Sequence, residues 1–244
     1  RRALHLWEQA PAKEYPEIAA LLNDLAILYL EQGNYQQAES LLQRALHLNE
    51  QIFGREHRKI ALCLNNLAGL YFEQGDYQQA ELLLQRALQL DEQIFGPEHP
   101  EVAFPLTNLA DLYHEQGGYA EAEQLYQRAL RIREQALGSS HPQVAFPLSG
   151  LANLYREQGR YVEAEPLYQR ALAIRYQQRG PQHPETAESL QDLARLHELQ
   201  NQPEQALKLY QQALHIREQR LGPEHPRTVE TRSYCTHLLQ ICGQ

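Results

Sequence analysis

His57, His99, His141, His183 and His225 stand 42 residues apart. Gly54, Gly96, Gly138, Gly180 and Gly222 keep the same step, and so do Ala45, Ala87, Ala129, Ala171 and Ala213. A fixed period between roughly 20 and 50 residues is the signature of an array in which each unit packs only on its neighbours. Such a chain has no central core, so its length counts units rather than domains.

The register extends to both ends. Arg2-Ala3-Leu4-His5-Leu6 precedes Arg44-Ala45-Leu46-His47-Leu48 by one period, and Pro226 to Gln244 aligns with Pro184 to Gln202. The expected organisation is a single array over 1–244. It comprises a half repeat at 1–15, full repeats at 16–57, 58–99, 100–141, 142–183 and 184–225, and a terminal capping helix at 226–244. The start inside a repeat and the absence of Met lead to the expectation that the sequence is cut from a longer polypeptide.

Within one repeat, Ala19, Leu22, Leu25, Ala26, Leu28 and Tyr29 follow the three-four spacing of a helix. Gln32-Gly33 stops it, and Asn34, like Asp76 one repeat on, is placed to cap a second helix. That helix buries Ala38, Leu41, Leu42, Ala45, Leu46, Leu48, Ile52 and Phe53, and Gly54 is expected to end it in the left-handed αL conformation. Alanines recur where axes must approach closely: Ala26, Ala68, Ala110, Ala152 and Ala194 on the first helix, and Ala38, Ala80, Ala122, Ala164 and Ala206 on the second. Pro105, Pro147 and Pro166 predict a delayed helix start or a bend. A lone unit buries too little to offset the ordering of its backbone, so stability should grow with repeat number.

A net charge of −9 and a pI near 5.7 argue against a nucleic-acid phosphate footprint. No apolar run approaches the ~20 residues of a membrane span. Cys63, Cys235 and Cys242 are too few and scattered for a disulfide framework; they read as buried apolar groups in a reducing, cytoplasmic setting. The sequence holds no phosphate-binding loop, dinucleotide fingerprint, zinc-protease motif or nucleophile elbow. The stepped histidines lie a repeat apart, too far to share a metal, and read as loop caps. No cofactor, metal or catalytic residue is expected. Arg44, Arg86, Arg128 and Arg170 are expected to pair with neighbouring carboxylates, and Trp7 to pack at the end of the array.

Leu67-Ala68-x-x-Tyr71, Ala80, Leu84 and Ala87, and again Leu109-Ala110-x-x-Tyr113, Ala122, Tyr126 and Ala129, resemble the tetratricopeptide (TPR) repeat. The usual TPR period is about 34 residues; the longer period, with LNNLA, QGxYxxAExLxxRAL and GxxHP, is similar to the kinesin light chain subclass. The resemblance implies an all-α fold, a right-handed superhelical α-solenoid of helix-turn-helix repeats with about 12 helices. Its fifth unit departs from the pattern at Asn201-Gln202-Pro203 and His197, and the final helix at Thr236 and His237, as a solvated cap would. Long-period arrays of this kind also occur as sensor ends of bacterial STAND nucleotide-switch regulators.

Opposite the packing side of the first helix runs a stripe that changes between repeats, which is either plain solvent surface or a tailored binding wall. It reads Ala20, Asn23, Ile27, Leu30; Leu62, Asn65, Gly69, Phe72; Phe104, Thr107, Asp111, His114; Phe146, Ser149, Asn153, Arg156; and Glu188, Gln191, Arg195, Glu198. Leu62, Phe72, Phe104 and Phe146 are large apolar groups on a face that packing does not need, which suits a bound segment. In the resembled subclass the first helices line the concave surface, and the asparagines of LNNLA contact the main chain of extended peptides; Asn23, Asn65, Asn66 and Asn108 match those positions. An amide both donates and accepts, as a peptide bond requires. His114, Asn153, Arg156 and Arg195 complete the candidate binding set, and Glu31, Glu73, Glu115 and Glu157 follow the stripe either as an acidic ledge that would repel an acidic peptide or, more commonly for such positions, as solvated helix ends. The expected function is therefore a monomeric, non-enzymatic module that holds a protein or peptide segment in its groove, with end-to-end contacts through exposed terminal helices open to it. A self-associating spacer and a small-ligand sensor are the alternatives.

Overall fold

The computed structural model describes residues 15–242. Eleven α-helices account for almost all of them: α1 Tyr15–Glu31, α2 Tyr35–Phe53, α3 Arg58–Glu73, α4 Tyr77–Phe95, α5 Ala103–Glu115, α6 Tyr119–Leu137, α7 Ala145–Glu157, α8 Tyr161–Arg179, α9 Pro184–Leu199, α10 Pro203–Leu221 and α11 Pro226–Cys242. Short 3-10 turns at Pro100–Val102 and Pro142–Val144 precede α5 and α7. No strand occurs among the described residues. The half repeat with Trp7 lies outside them, as does the side chain of Glu31.

The helices form two compact units, the first ending at Gly118 and the second beginning at Tyr119. In the first, α1 with α2 and α3 with α4 form hairpins, α2 packs on α3, and α4 packs on α5. In the second, α6 packs on α7, α7 pairs with α8 and α9 with α10, and α11 closes on α10. Each unit is held by a succession of small cores rather than one large one. Ile18, Leu22, Leu42, Cys63 and Leu67 make one, Ile60, Leu64 and Leu90 the next. Val144, Leu148 and Ile174, then Leu190 and Ile216, then Tyr210, Cys235 and Leu238 continue the pattern in the second unit.

All fifteen repeat-stepped alanines are 0% exposed; a larger side chain at any of them would push helix axes apart. The stepped histidines are helix caps. Nδ1 of His57, His99, His141, His183 and His225 accepts the N–H two residues ahead at 3.2–3.3 Å. The rings of His57 and His99 stack on Phe53 and Phe95 at 4.4 and 4.7 Å. Arg86 and Arg170 reach Glu50 and Glu134 at 3.3 and 2.5 Å.

The two helix starts containing Pro105 and Pro147 are delayed, as expected. Where α3 and α9 begin directly, the corresponding residues Pro100–Val102 and Pro142–Val144 take a 3-10 turn, because a proline cannot donate to the carbonyl four residues back. Pro166, by contrast, is accommodated inside α8, near the exposed Val162.

Several local expectations are corrected. Gly54 ends α2 with φ 80° and ψ 175°, not in αL; the extended ψ belongs to a region that only glycine enters easily. Asp76 caps α4 by accepting from Gln79 N–H, but the Asn34 side chain does not cap α2 and instead donates to Gln32. Cys63 and Cys235 are buried, whereas Cys242 is exposed. In the fifth turn Asn201 takes the place of the positive-φ glycine with φ 58°. Asparagine is among the few side chains that enter this region readily.

Candidate partner-binding faces

On the first unit, α3 carries Leu62, Asn65, Asn66 and Phe72, and α5 carries Phe104, Asn108 and His114. Leu62 is 50% exposed and Phe104 41% exposed, although the residues that flank them in sequence are packed away. With Arg58, Lys59, Asn65, Asp91, Phe95 and Glu101 they line a pocket of 260 Å3. A smaller hollow of 120 Å3 lies between Ala68, Gly69, Phe72, Leu84, Asn108 and Asp111. Phe72 is half-buried and tilts against Tyr77 at 5.7 Å.

The asparagines do not stand open as a row of amides. Asn65 is buried, and its Nδ2 donates to the Ala61 carbonyl at 2.9 Å. Its Oδ1 accepts from Asn108 Nδ2 at 3.3 Å, and Asn23 Oδ1 accepts from Asn66 Nδ2 at 2.7 Å. The amides thus form rungs from one first helix to the next. Thr107 likewise turns back onto the Ala103 carbonyl at 2.7 Å. An incoming segment would meet these groups already partnered.

On the second unit, Phe146 is 44% exposed. The guanidiniums of Arg133 and Arg175 lie 5.9 and 5.7 Å from its ring centroid, the geometry of a cation–π pair. Asn153 accepts from the Tyr168 hydroxyl at 2.5 Å. Arg156 pairs with Glu157 at 3.3 Å. Arg195 reaches Glu230 and the Tyr234 hydroxyl at 2.9 and 3.1 Å. Burial pushes the Asp192 carboxyl up, against the pull of Arg156, Arg175 and Arg195. Glu73, Glu115 and Glu157 are exposed at helix ends.

Sequence reasoning passed over a second series, stepped by the same period on the second helix: Asn49, Asp91, Arg133, Arg175 and Arg217. All five are at most 6% exposed. Asn49 donates to Cys63 Sγ at 3.3 Å. Arg133 donates to the Gln143 carbonyl at 2.8 Å and Arg175 to Ser189 Oγ at 2.6 Å. Arg217 is held by Gln191, by Thr231 and by the Arg227 carbonyl. Asp91 makes no such bond. Burial, reinforced by Glu101 and opposed by Arg58, pushes its carboxyl up to about 7. The signal was present: a polar residue recurring on an otherwise apolar stripe marks a site that packing alone does not explain.

Among the described residues no group of three or more metal-ligating side chains converges, and no helix is long and apolar enough to cross a membrane.

The profile of the tetratricopeptide repeat matches residues 1–51, 17–93, 60–135, 106–177 and 143–219. Among solved structures, BtubC (BKLC) from P. vanneervenii is similar at 24% identity, over 92% of this chain and 89% of its own, with a TM-score of 0.71. A putative kinesin light chain of nearly identical TPR-like repeats from Podosopora anserina is similar at 26% identity, over 86% of this chain and 98% of its own, with a TM-score of 0.62. A variant form of that protein is similar at 26% identity, over 84% of this chain and 97% of its own, with a TM-score of 0.64. No curated protein sequence matches the chain.

Proposed function

Because the chain belongs to the tetratricopeptide repeat family, whose repeats generally serve as protein-interaction modules, we propose that it is a non-catalytic module whose first-helix face on the first unit docks an extended segment of a protein partner. The observation that carries this reading is the pair Leu62 and Phe104. Each is half-exposed beside a pocket, at a register position that no core requires. Keeping the exposed half of such side chains in water forgoes about 1 kcal/mol each, a cost that a binding surface recovers on contact. The partnered asparagines support a division of labour: they fix the spacing of successive first helices, and the apolar groups beside them meet the segment.

The test is a selection of extended peptides from a random displayed library on the intact protein. Leu62→Ala with Phe104→Ala should weaken the selected peptides at least tenfold, with helical circular dichroism unchanged. Equal binding by the double variant would remove the docking role from this face.

A further inference from the structure

Asp91 differs from its four counterparts in one respect. Among the described residues it has no hydrogen-bond or ion-pair partner, yet it is 6% exposed and lines the 260 Å3 pocket. A buried carboxylate left without a partner is unfavourable. Of the two cations that line the pocket, Arg58 offsets this only in part, and both are engaged elsewhere. Arg58 lies 4.0 Å from Glu101, and Lys59 Nζ sits over the Phe53 ring at 4.5 Å. Leu62, Phe95 and Phe104 supply the apolar part of the same lining. Of the four charged groups in the lining, Arg58 is paired with Glu101 and Lys59 is engaged by Phe53, so among the described residues Asp91 is the one left without a partner.

An apolar lining beside an unpartnered carboxylate suits a side chain with a methylene stem and a cationic end. Resting on the docking reading above, we infer that the pocket anchors a lysine or arginine of the bound segment, with its stem between Leu62 and Phe104 and its charged end on Asp91. The chain's net charge of −9 favours approach of a basic segment. The carboxylate must be ionised to hold the cation. The charged groups facing it are Glu101 from the 3-10 turn and Arg58 and Lys59 from α3, so binding strengthens as pH rises through the neutral range.

The peptides selected on the intact protein should share a lysine or arginine at one fixed position. Replacing it with norleucine, which keeps the stem and removes the charge, should weaken binding at least tenfold by fluorescence anisotropy at pH 8. Asp91→Asn should abolish that discrimination and leave the norleucine peptide's affinity unchanged. The discrimination should also shrink between pH 8 and pH 6. Selected peptides without a fixed basic residue, or equal binding of the lysine and norleucine forms, overturn the anchor. So does a preference for lysine that persists in Asp91→Asn. In each of those cases the Leu62→Ala, Phe104→Ala result still decides the docking reading separately. A selection that yields no binder overturns both.

Discussion

At the scale of single residues, the period fixes where side chains stand but not which neighbours they can tolerate. Gly150 shows this. A Cβ at that position would lie 2.3 Å from Cε1 and 2.6 Å from Cζ of Tyr126, which is itself 1% exposed. One and two repeats earlier the same positions hold Asn108 with Leu84 and Asn66 with Leu42, and one repeat later Asp192 with Tyr168, so the close approach of ring to backbone belongs to this repeat and not to the period. Gly150→Asn, which restores the residue of the earlier repeats, should cost about 1–3 kcal/mol by urea denaturation, because the ring cannot move without overpacking its surroundings. Asp91 gives a second prediction, with a definite sign. Its folded pKa of about 7 lies above the ordinary 3.8, so the folded state binds the extra proton between those values. The penalty is absent below about pH 4 and grows as pH rises to about 7. The full shift corresponds to roughly 4 kcal/mol; the pocket admits solvent, so about half is expected. Asp91→Asn should stabilise the protein by about 1–2 kcal/mol at pH 8 and by much less near pH 4. Guanidinium titrations at the two pH values measure the difference.

At the scale of elements, neighbouring hairpins are fastened by a bond that recurs with the period. Tyr71 Oη donates to Glu39 at 2.8 Å, Tyr113 to Glu81 at 2.6 Å and Tyr155 to Glu123 at 2.7 Å. Each joins a first helix to the second helix of the preceding repeat. Burial, with the adjoining glutamate, pushes the hydroxyls of Tyr71 and Tyr155 up, which keeps them protonated as donors. Where the fifth repeat has His197 instead, the ring bonds Gln202, and Glu165 is served by Gln200 at 3.1 Å. Tyr113→Phe removes one such fastening and leaves the ring in place. A loss of about 1–2 kcal/mol in urea is expected, and an unchanged stability would show that the bond is not a structural one. The tyrosines and glutamates were legible as a pattern in the sequence. Their pairing was not, because residues 32 apart meet only once the hairpin angle is set.

At the scale of the whole molecule, each core is confined to adjacent helices, and disturbance should remain equally local. Ala194 is 0% exposed in the core with Ala206 and Tyr210. Ala194→Leu should cost about 1–3 kcal/mol, and should lower amide-exchange protection in α9, α10 and α11 while α1 to α3 keep theirs. Loss of protection along all eleven helices at once would show a cooperativity that nearest-neighbour packing does not provide.

The amino-acid sequence alone determined the repeat length, the helical hairpins, the capping histidines and the alanine contacts. These depend on local preference and on a spacing that returns in every unit, so one repeat predicts the next. The tertiary structure decided which polar groups became partners. Asn65 was drawn into a rung with Asn108, Arg195 was taken up by Glu230 and Tyr234, and Asp91 was left unpaired in the pocket that Leu62 and Phe104 also line. A hydrogen bond is won or lost over a few tenths of an ångström. That distance follows from how one hairpin settles on another, which periodicity does not encode.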